Sequence, residues 1–159
     1  AKLDEAYNRY KKEVKDSQIF DGLKITLGRK ALRKLLRKKV RLVPMDLSQE
    51  TLGLTEAMRD ELRNDLNIII NSAGTVEFGT RLDIATEINV RGPLQLMKLA
   101  EECHNFEAFT QISTMFAVSD RTGFIDEKMY DSTHDWVQEY QRILSLNHLE
   151  ILEQQAQVI

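Results

Sequence analysis

The chain holds one cysteine, two prolines and seven glycines in 159 residues, with only 7% aromatics. A single cysteine excludes a disulfide framework and any multi-cysteine metal site, and it suits a reducing, intracellular compartment. His104, His134 and His148 show no metal-ligand spacing, so no metal is expected. Apolar runs such as Ile68 to Ile70 are far shorter than the roughly 20 residues that cross a bilayer. The first residues (AKLDEAYNRYKKEV) are charged and carry no secretory apolar stretch. They also lack an initiating Met, which suggests processing or an internal piece. What is present is ordinary globular material: 42% hydrophobic, 30% charged, and long enough for one domain over 1–159.

Charge is unevenly placed beneath the net −3. Residues 1–43 hold 14 Lys and Arg against 5 Asp and Glu, and residues 44–159 hold 8 against 20. The basic segment is either a solvated helical face or a surface for RNA, acidic lipid or a polyanionic cofactor. Its strongest run, residues 29–39 (RKALRKLLRKK), has no interleaved aromatics, which argues against nucleic acid.

Residues 1–39 read as two polar helices around a break at Asp21-Gly22, a helical linker before the strand–helix repeats of 40–159. Val40 to Met45 reads as a short strand, weakened by Pro44. Thr55 caps a helix, with Glu56 at its positive end. Residues 66–70 (LNIII) make the clearest strand. Its unalternating apolar character suits burial on both faces, hence a parallel sheet. It ends in four small residues, Asn71, Ser72, Ala73 and Gly74. Residues 81–103 read as a long helix, 106–114 as another strand and 134–158 as a terminal amphipathic helix. The alternation predicts an α/β fold: a partial, Rossmann-like, doubly wound parallel sheet lacking its first strands.

Ligands of open α/β sheets bind beyond the carboxyl ends of the strands. Three such ends stand out: Asp46-Leu47, Asn71 to Gly74, and Ser113-Thr114. A carboxylate can accept from the amine of a base, small residues let a ligand lie on backbone, and hydroxyls can donate to a substrate oxygen. Each also has a plainer use. Asp46 can start a turn, Gly74 can permit a tight loop, and Ser113 and Thr114 can cap. Their shared place and order favour the functional use.

The set Leu42-Val-Pro-Met-Asp-Leu-Ser, Asn67 to Phe78, Glu87 to Ala100 and Phe109 to Thr114 resembles the extended short-chain dehydrogenase/reductase superfamily. Within it the fatty acyl-CoA reductases are most similar, on Thr75-Val76-Glu77-Phe78, Asn89-Val90-Arg91-Gly92, Ser113-Thr114, Leu52-Gly53-Leu54 and Ile125 to Tyr130. The resemblance implies that Asp46 and Leu47 flank the adenine of NADP(H) and that Asn71, Ser72, Ala73 and Gly74 run under the dinucleotide. Asn89 would pin neighbouring backbone and support a water chain. Thr114 would be the catalytic hydroxyl, with Ser113 beside the nicotinamide. It also implies a long-chain acyl-CoA substrate, reduced through aldehyde to alcohol. A peroxisomal or endoplasmic-reticulum membrane location would follow, reached through parts outside these residues.

Two parts of the superfamily pattern are missing. No glycine spacing fits a phosphate-binding turn after an apolar strand. Tyr-x-x-x-Lys occurs as Tyr7 and Lys11, ahead of every strand, where the family does not place it. The resemblance therefore implies an interior segment. Gly74 stands where the family usually has Ala, and Met115 to Val118 (MFAV) replaces the usual Ala-Tyr-Val-Asn. Three readings stay open: part of an NADPH-dependent fatty acyl-CoA reductase, a catalytically silent scaffold subunit of a larger assembly, and a carrier-protein thioester reductase domain.

Overall fold

The computed structural model describes residues 3–77, 79–119, 121–131 and 135–157. The chain divides into two units, Ala1–Asp46 and Leu47–Ile159.

The first unit is helical. Helix α1 (Leu3–Arg9) runs into a π turn (Tyr10–Lys15), a 3-10 turn (Gln18–Phe20), α2 (Asp21–Leu27) and α3 (Arg29–Lys39). The breaks fall at Asp16-Ser17 and at Gly28, whose φ of 77° is a backbone state glycine adopts at no steric cost. They do not fall at the expected Asp21-Gly22, because an Asp is also at home in a first helical turn, facing the positive helix end. Leu32 is the buried residue of α3. Residues 40–46 are not a strand, which corrects the reading of Val40 to Met45. Proline has no N–H to give to a ladder, and the described sheet is two-stranded without this segment.

The second unit begins with a 3-10 turn (Glu50–Gly53) in which Thr51 and Leu52 take φ of 58° and 60°. A left-handed non-glycine residue costs roughly 1–2 kcal/mol. Burial of Leu52, 2% exposed, returns about as much. Thr55 then caps α4 (Glu56–Asp65), accepting from the Met58 N–H at 3.3 Å. Strand β1 (Ile68–Asn71) is followed by α5 (Leu82–Thr86), a π turn (Glu87–Arg91), α6 (Gly92–Glu102) and strand β2 (Ala108–Gln111). The two strands are parallel, pairing Ile68 with Ala108 through Asn71 with Gln111. This is a βαβ unit, and the molecule is an α/β protein with a small parallel sheet.

Only one face of β1 is covered. Ile69 and Asn71 are buried, while Ile68 and Ile70 are 53% and 67% exposed, so the expected burial on both faces is not met within the described residues. Leu96, Leu99 and Ala100 of α6 join Leu52, Leu54, Ile69 and Ile151 as the buried apolar side chains of this unit. The terminal helix is broken into α7 (Trp136–Ser145) and α8 (His148–Gln157), both lying against α5. The break is a reciprocal cap. Asn147 Oδ1 accepts from the N–H groups of Leu149 and Glu150, and Glu150 Oε2 accepts from Asn147 N–H at 2.7 Å.

Candidate active site

Parallel strands that end in register deliver their carboxyl ends to one rim. Asn71 and Gln111 are paired, and the ladder extends one step through Ile112 N–H to Asn71 O at 2.8 Å. Asn71 is 3% exposed, and both ends of its amide are used. Its Nδ2 donates to Gln111 Oε1 at 2.8 Å, and its Oδ1 accepts from Ala73 N–H at 3.1 Å. An unpartnered buried amide would cost about 1–3 kcal/mol, so this double engagement holds the strand ends together. Past it, Ser72, Ala73 and Gly74 emerge as an exposed ledge of small residues.

The far end of the ledge is held by Asn89, which sits in the π turn of the crossover helix. Its Oδ1 accepts from Thr75 N–H at 2.9 Å and its Nδ2 donates to Thr75 O at 3.2 Å. A Cβ at position 74 would lie 3.0 Å from Asn89 Oδ1, so glycine lets the carboxamide close on the backbone without displacement. A π turn places one extra residue in the helix and re-aims the side chains around it, a device common at functional sites. The loop then turns through a Thr75–Thr80 hydroxyl contact of 3.2 Å. Phe78 of the Thr75-Val76-Glu77-Phe78 motif lies outside the described residues, as does His134.

One helical turn beyond Asn89, Gly92 receives Leu47. A Cβ on Gly92 would stand 2.9 Å from Leu47 Cβ, which seats Leu47 on the same crossover helix that grips the ledge. Asp46, half-buried, closes the first unit.

On the neighbouring strand, Ser113 and Thr114 are exposed just beyond β2. Thr114 caps a 3-10 turn (Met115–Val118), its Oγ1 accepting from Phe116 N–H at 3.4 Å. A capping hydroxyl acts as acceptor and leaves its own proton to donate elsewhere. The same rim therefore carries a small-residue ledge from one strand and two hydroxyls from the next. Tyr7 and Lys11 belong to the first unit.

Away from the rim, Glu102 at the end of α6 accepts from both Arg59 and Arg63 of α4. Hydrogen bonding to Arg63, reinforced by Arg59, holds the Glu102 carboxyl below the usual carboxylate range. Cys103 donates to Leu99 O at 3.1 Å, and burial pushes its thiol up, away from nucleophilic use. In the motif from Ile125 to Tyr130, the Tyr130 hydroxyl accepts from Asp126 N–H at 2.8 Å, and the Arg121 guanidinium lies 4.3 Å from its ring centre. Sequence reading missed Gln111, and although it singled out the motifs that hold Gly92 and Tyr130, it missed the Leu47 seat and the Tyr130 clasp. For Gly92 a signal existed, a glycine in a helix interior, where it weakens the helix unless something packs close.

The NAD-binding family model described as male sterility protein matches residues 1–157. The chain belongs to this family. It is similar to the chloroplastic fatty acyl-CoA reductase 2 of Arabidopsis thaliana, at 35% identity over 127 residues, covering 79% of this chain and 20% of that protein. It is also similar to the alcohol-forming fatty acyl-CoA reductase of Simmondsia chinensis (29% over 123 residues; 77% of this chain, 25% of that protein). The fatty acyl-CoA reductase wat of Drosophila melanogaster matches at 34% over 97 residues, 61% of this chain and 19% of that protein. The chain thus spans about a fifth to a quarter of the length of these relatives. The match to an NAD-binding domain indicates a nicotinamide cofactor. No helix among the described residues is long and apolar enough to cross a membrane.

Proposed function

We propose that the chain is the interior, nucleotide-binding portion of an NADPH-dependent fatty acyl-CoA reductase, acting on long-chain acyl-CoA to give fatty alcohol through the aldehyde. In this reading β1 and β2 are neighbours in a larger, doubly wound Rossmann sheet. Further strands would cover the open edges of the pair, and a helix layer on the outer face would cover the exposed Ile68 and Ile70. The observation that carries the proposal is the in-register rim, with Ser72, Ala73 and Gly74 held flat between Asn71 and Asn89.

The residues present fit a dinucleotide on one side. Ser72, Ala73 and Gly74 place no long side chain over the ledge, so a ligand can lie against backbone. Leu47, fixed on Gly92, would pack on the adenine, with Asp46 accepting from its amine. Ser113 would lie beside the nicotinamide. When bound, the cofactor supplies the hydride. Thr114, its oxygen anchored by Phe116 N–H, directs its proton at the thioester or aldehyde oxygen as negative charge gathers there. A donor already in place for that charge is worth about 10²–10³ in rate. Asn89 acts through the backbone it grips and keeps the ledge level. Location at a peroxisomal or endoplasmic-reticulum membrane belongs to the same reading.

The test is NADPH oxidation driven by palmitoyl-CoA, measured on the whole protein. Turnover with release of alcohol is expected. Thr114→Ala should lower kcat by about 10²–10³ with little change in NADPH affinity, and Thr114→Ser should retain most of the rate. Binding of NADPH without any acyl-CoA-driven oxidation would replace this reading with the silent scaffold. Full activity in Thr114→Ala would remove Thr114 from the chemistry.

A further inference from the structure

A cleft region of the first unit holds two adjoining cavities, of about 260 and 220 Å³, with Lys15, Arg33 and Leu36 in the walls of both. Arg29, Arg33 and Arg37 recur every four residues along α3, which places them on one helix face. Arg29 and Arg33 line the first cavity, Arg33 and Arg37 the second, and Lys15 both. Their sequence neighbours Lys30, Lys34 and Lys38 line neither. The basic run of 29–39 is therefore sorted by the fold into a lining row and an outer row.

The lining row is poorly neutralised. Asp16 and Asp21 face the first cavity, but Lys24 already holds Asp21 at 2.7 Å. No carboxylate lines the second cavity. Among the described residues, no ion pair or side-chain hydrogen bond engages Lys15, Arg29, Arg33 or Arg37. Four cations gathered in a concave wall repel one another and focus a positive field into the cleft, which favours an anionic occupant. Guanidinium forks match phosphate oxygens in pairs.

The rest of the wall is chemically different. Tyr7 and Tyr10, with Leu36 and Val40, give the second cavity an aromatic and apolar side. A free phosphate would leave that side unused, whereas a flat base would pack on it. Each cavity, about 260 and 220 Å³, lies near the lower end of the ~300–1,000 Å³ of small-molecule sites. We infer that this cleft binds a nucleotide carrying two or more phosphates, the phosphates on the arginine row and the base against Tyr7 and Tyr10.

The inference stands apart from the reductase reading, because it is tested by binding without hydride transfer. Calorimetric titration of the whole protein with adenosine 3′,5′-bisphosphate, in the presence of saturating NADPH, keeps the rim out of competition. Saturable one-site binding is expected, with adenosine weaker by about tenfold or more. Arg33→Glu and Arg37→Glu should each weaken it by about tenfold, and the milder Arg33→Gln by less. Lys34→Glu and Lys38→Glu make the same charge change outside the cleft and should cost about twofold at most. Tyr10→Ala should weaken the bisphosphate but leave inorganic pyrophosphate unchanged. Absence of saturable binding would overturn the inference, and so would equal losses from both reversal pairs. Uptake by phosphatidylserine vesicles without nucleotide saturation would overturn it too, by giving the charge to a lipid surface.

Discussion

Asn71 and Asn89 are both asparagines at the rim, and their surroundings give them different duties. Asn71 is buried and tied to Gln111 and Ala73, so it cannot turn outward to a ligand without leaving polar atoms unpaired. What it does is place Ala73, whose N–H it accepts. Asn89 is exposed and bonds both backbone groups of Thr75. Asn89→Ala should therefore cost about 1 kcal/mol of stability, read by urea unfolding, because water can replace the lost bonds. Its larger effect should be on NADPH affinity, weakened by about tenfold as the ledge loosens, measured by fluorescence titration. A variant that loses stability and keeps full affinity would make Asn89 structural only. The residue identities at this rim were readable in the sequence, since small residues and hydroxyls at successive strand ends announce themselves. Their division of duties was not, because whether an amide faces inward depends on the partner strand. Gln111 is the case in point, an ordinary polar residue until the register places it opposite Asn71.

Among the elements, the crossover helix carries most of the organisation. Its π turn aims Asn89, Gly92 admits Leu47, and its last residue meets α4 through Glu102. Gly92→Ala gains helix propensity of about 1 kcal/mol. It also drives a methyl to 2.9 Å from Leu47 Cβ, an atom that cannot swing aside. Overpacking of that kind costs about 1–3 kcal/mol, so a net loss of about 1 kcal/mol is expected by thermal or urea unfolding, together with weaker cofactor binding. Glu102→Gln should lower stability by about 1 kcal/mol at neutral pH. The sign follows from its depressed pKa: the contribution is present above the ordinary carboxylate value of about 4.3 and is lost as pH falls through the lower folded value. Unfolding curves of the wild type and variant should therefore converge in acid. Helix periodicity revealed this long helix but not its π turn, because one inserted residue barely disturbs an apolar pattern. The break between α7 and α8 was likewise hidden in a continuous amphipathic stripe, although Asn147 and Glu150 spell a cap.

Across the whole molecule, pattern and structure part where neighbours are needed. The run at Val40 to Met45 has the composition of a strand and does not form one, because a strand exists only with a partner to pair with. β1 has the composition of a strand covered twice and is covered once. The two units also divide the charge: a basic helical unit with an arginine-lined cleft, and an acidic unit that bears the rim. The account stands on the ledge at Ser72 to Gly74 receiving a dinucleotide. Ala73→Glu adds bulk and negative charge there while leaving the Ala73 N–H free to bond Asn71. NADPH titration of the whole protein carrying this substitution should show affinity weakened by about a hundredfold or more, with thermal unfolding little changed. Undiminished NADPH binding in a folded Ala73→Glu protein would place the cofactor elsewhere and contradict the account.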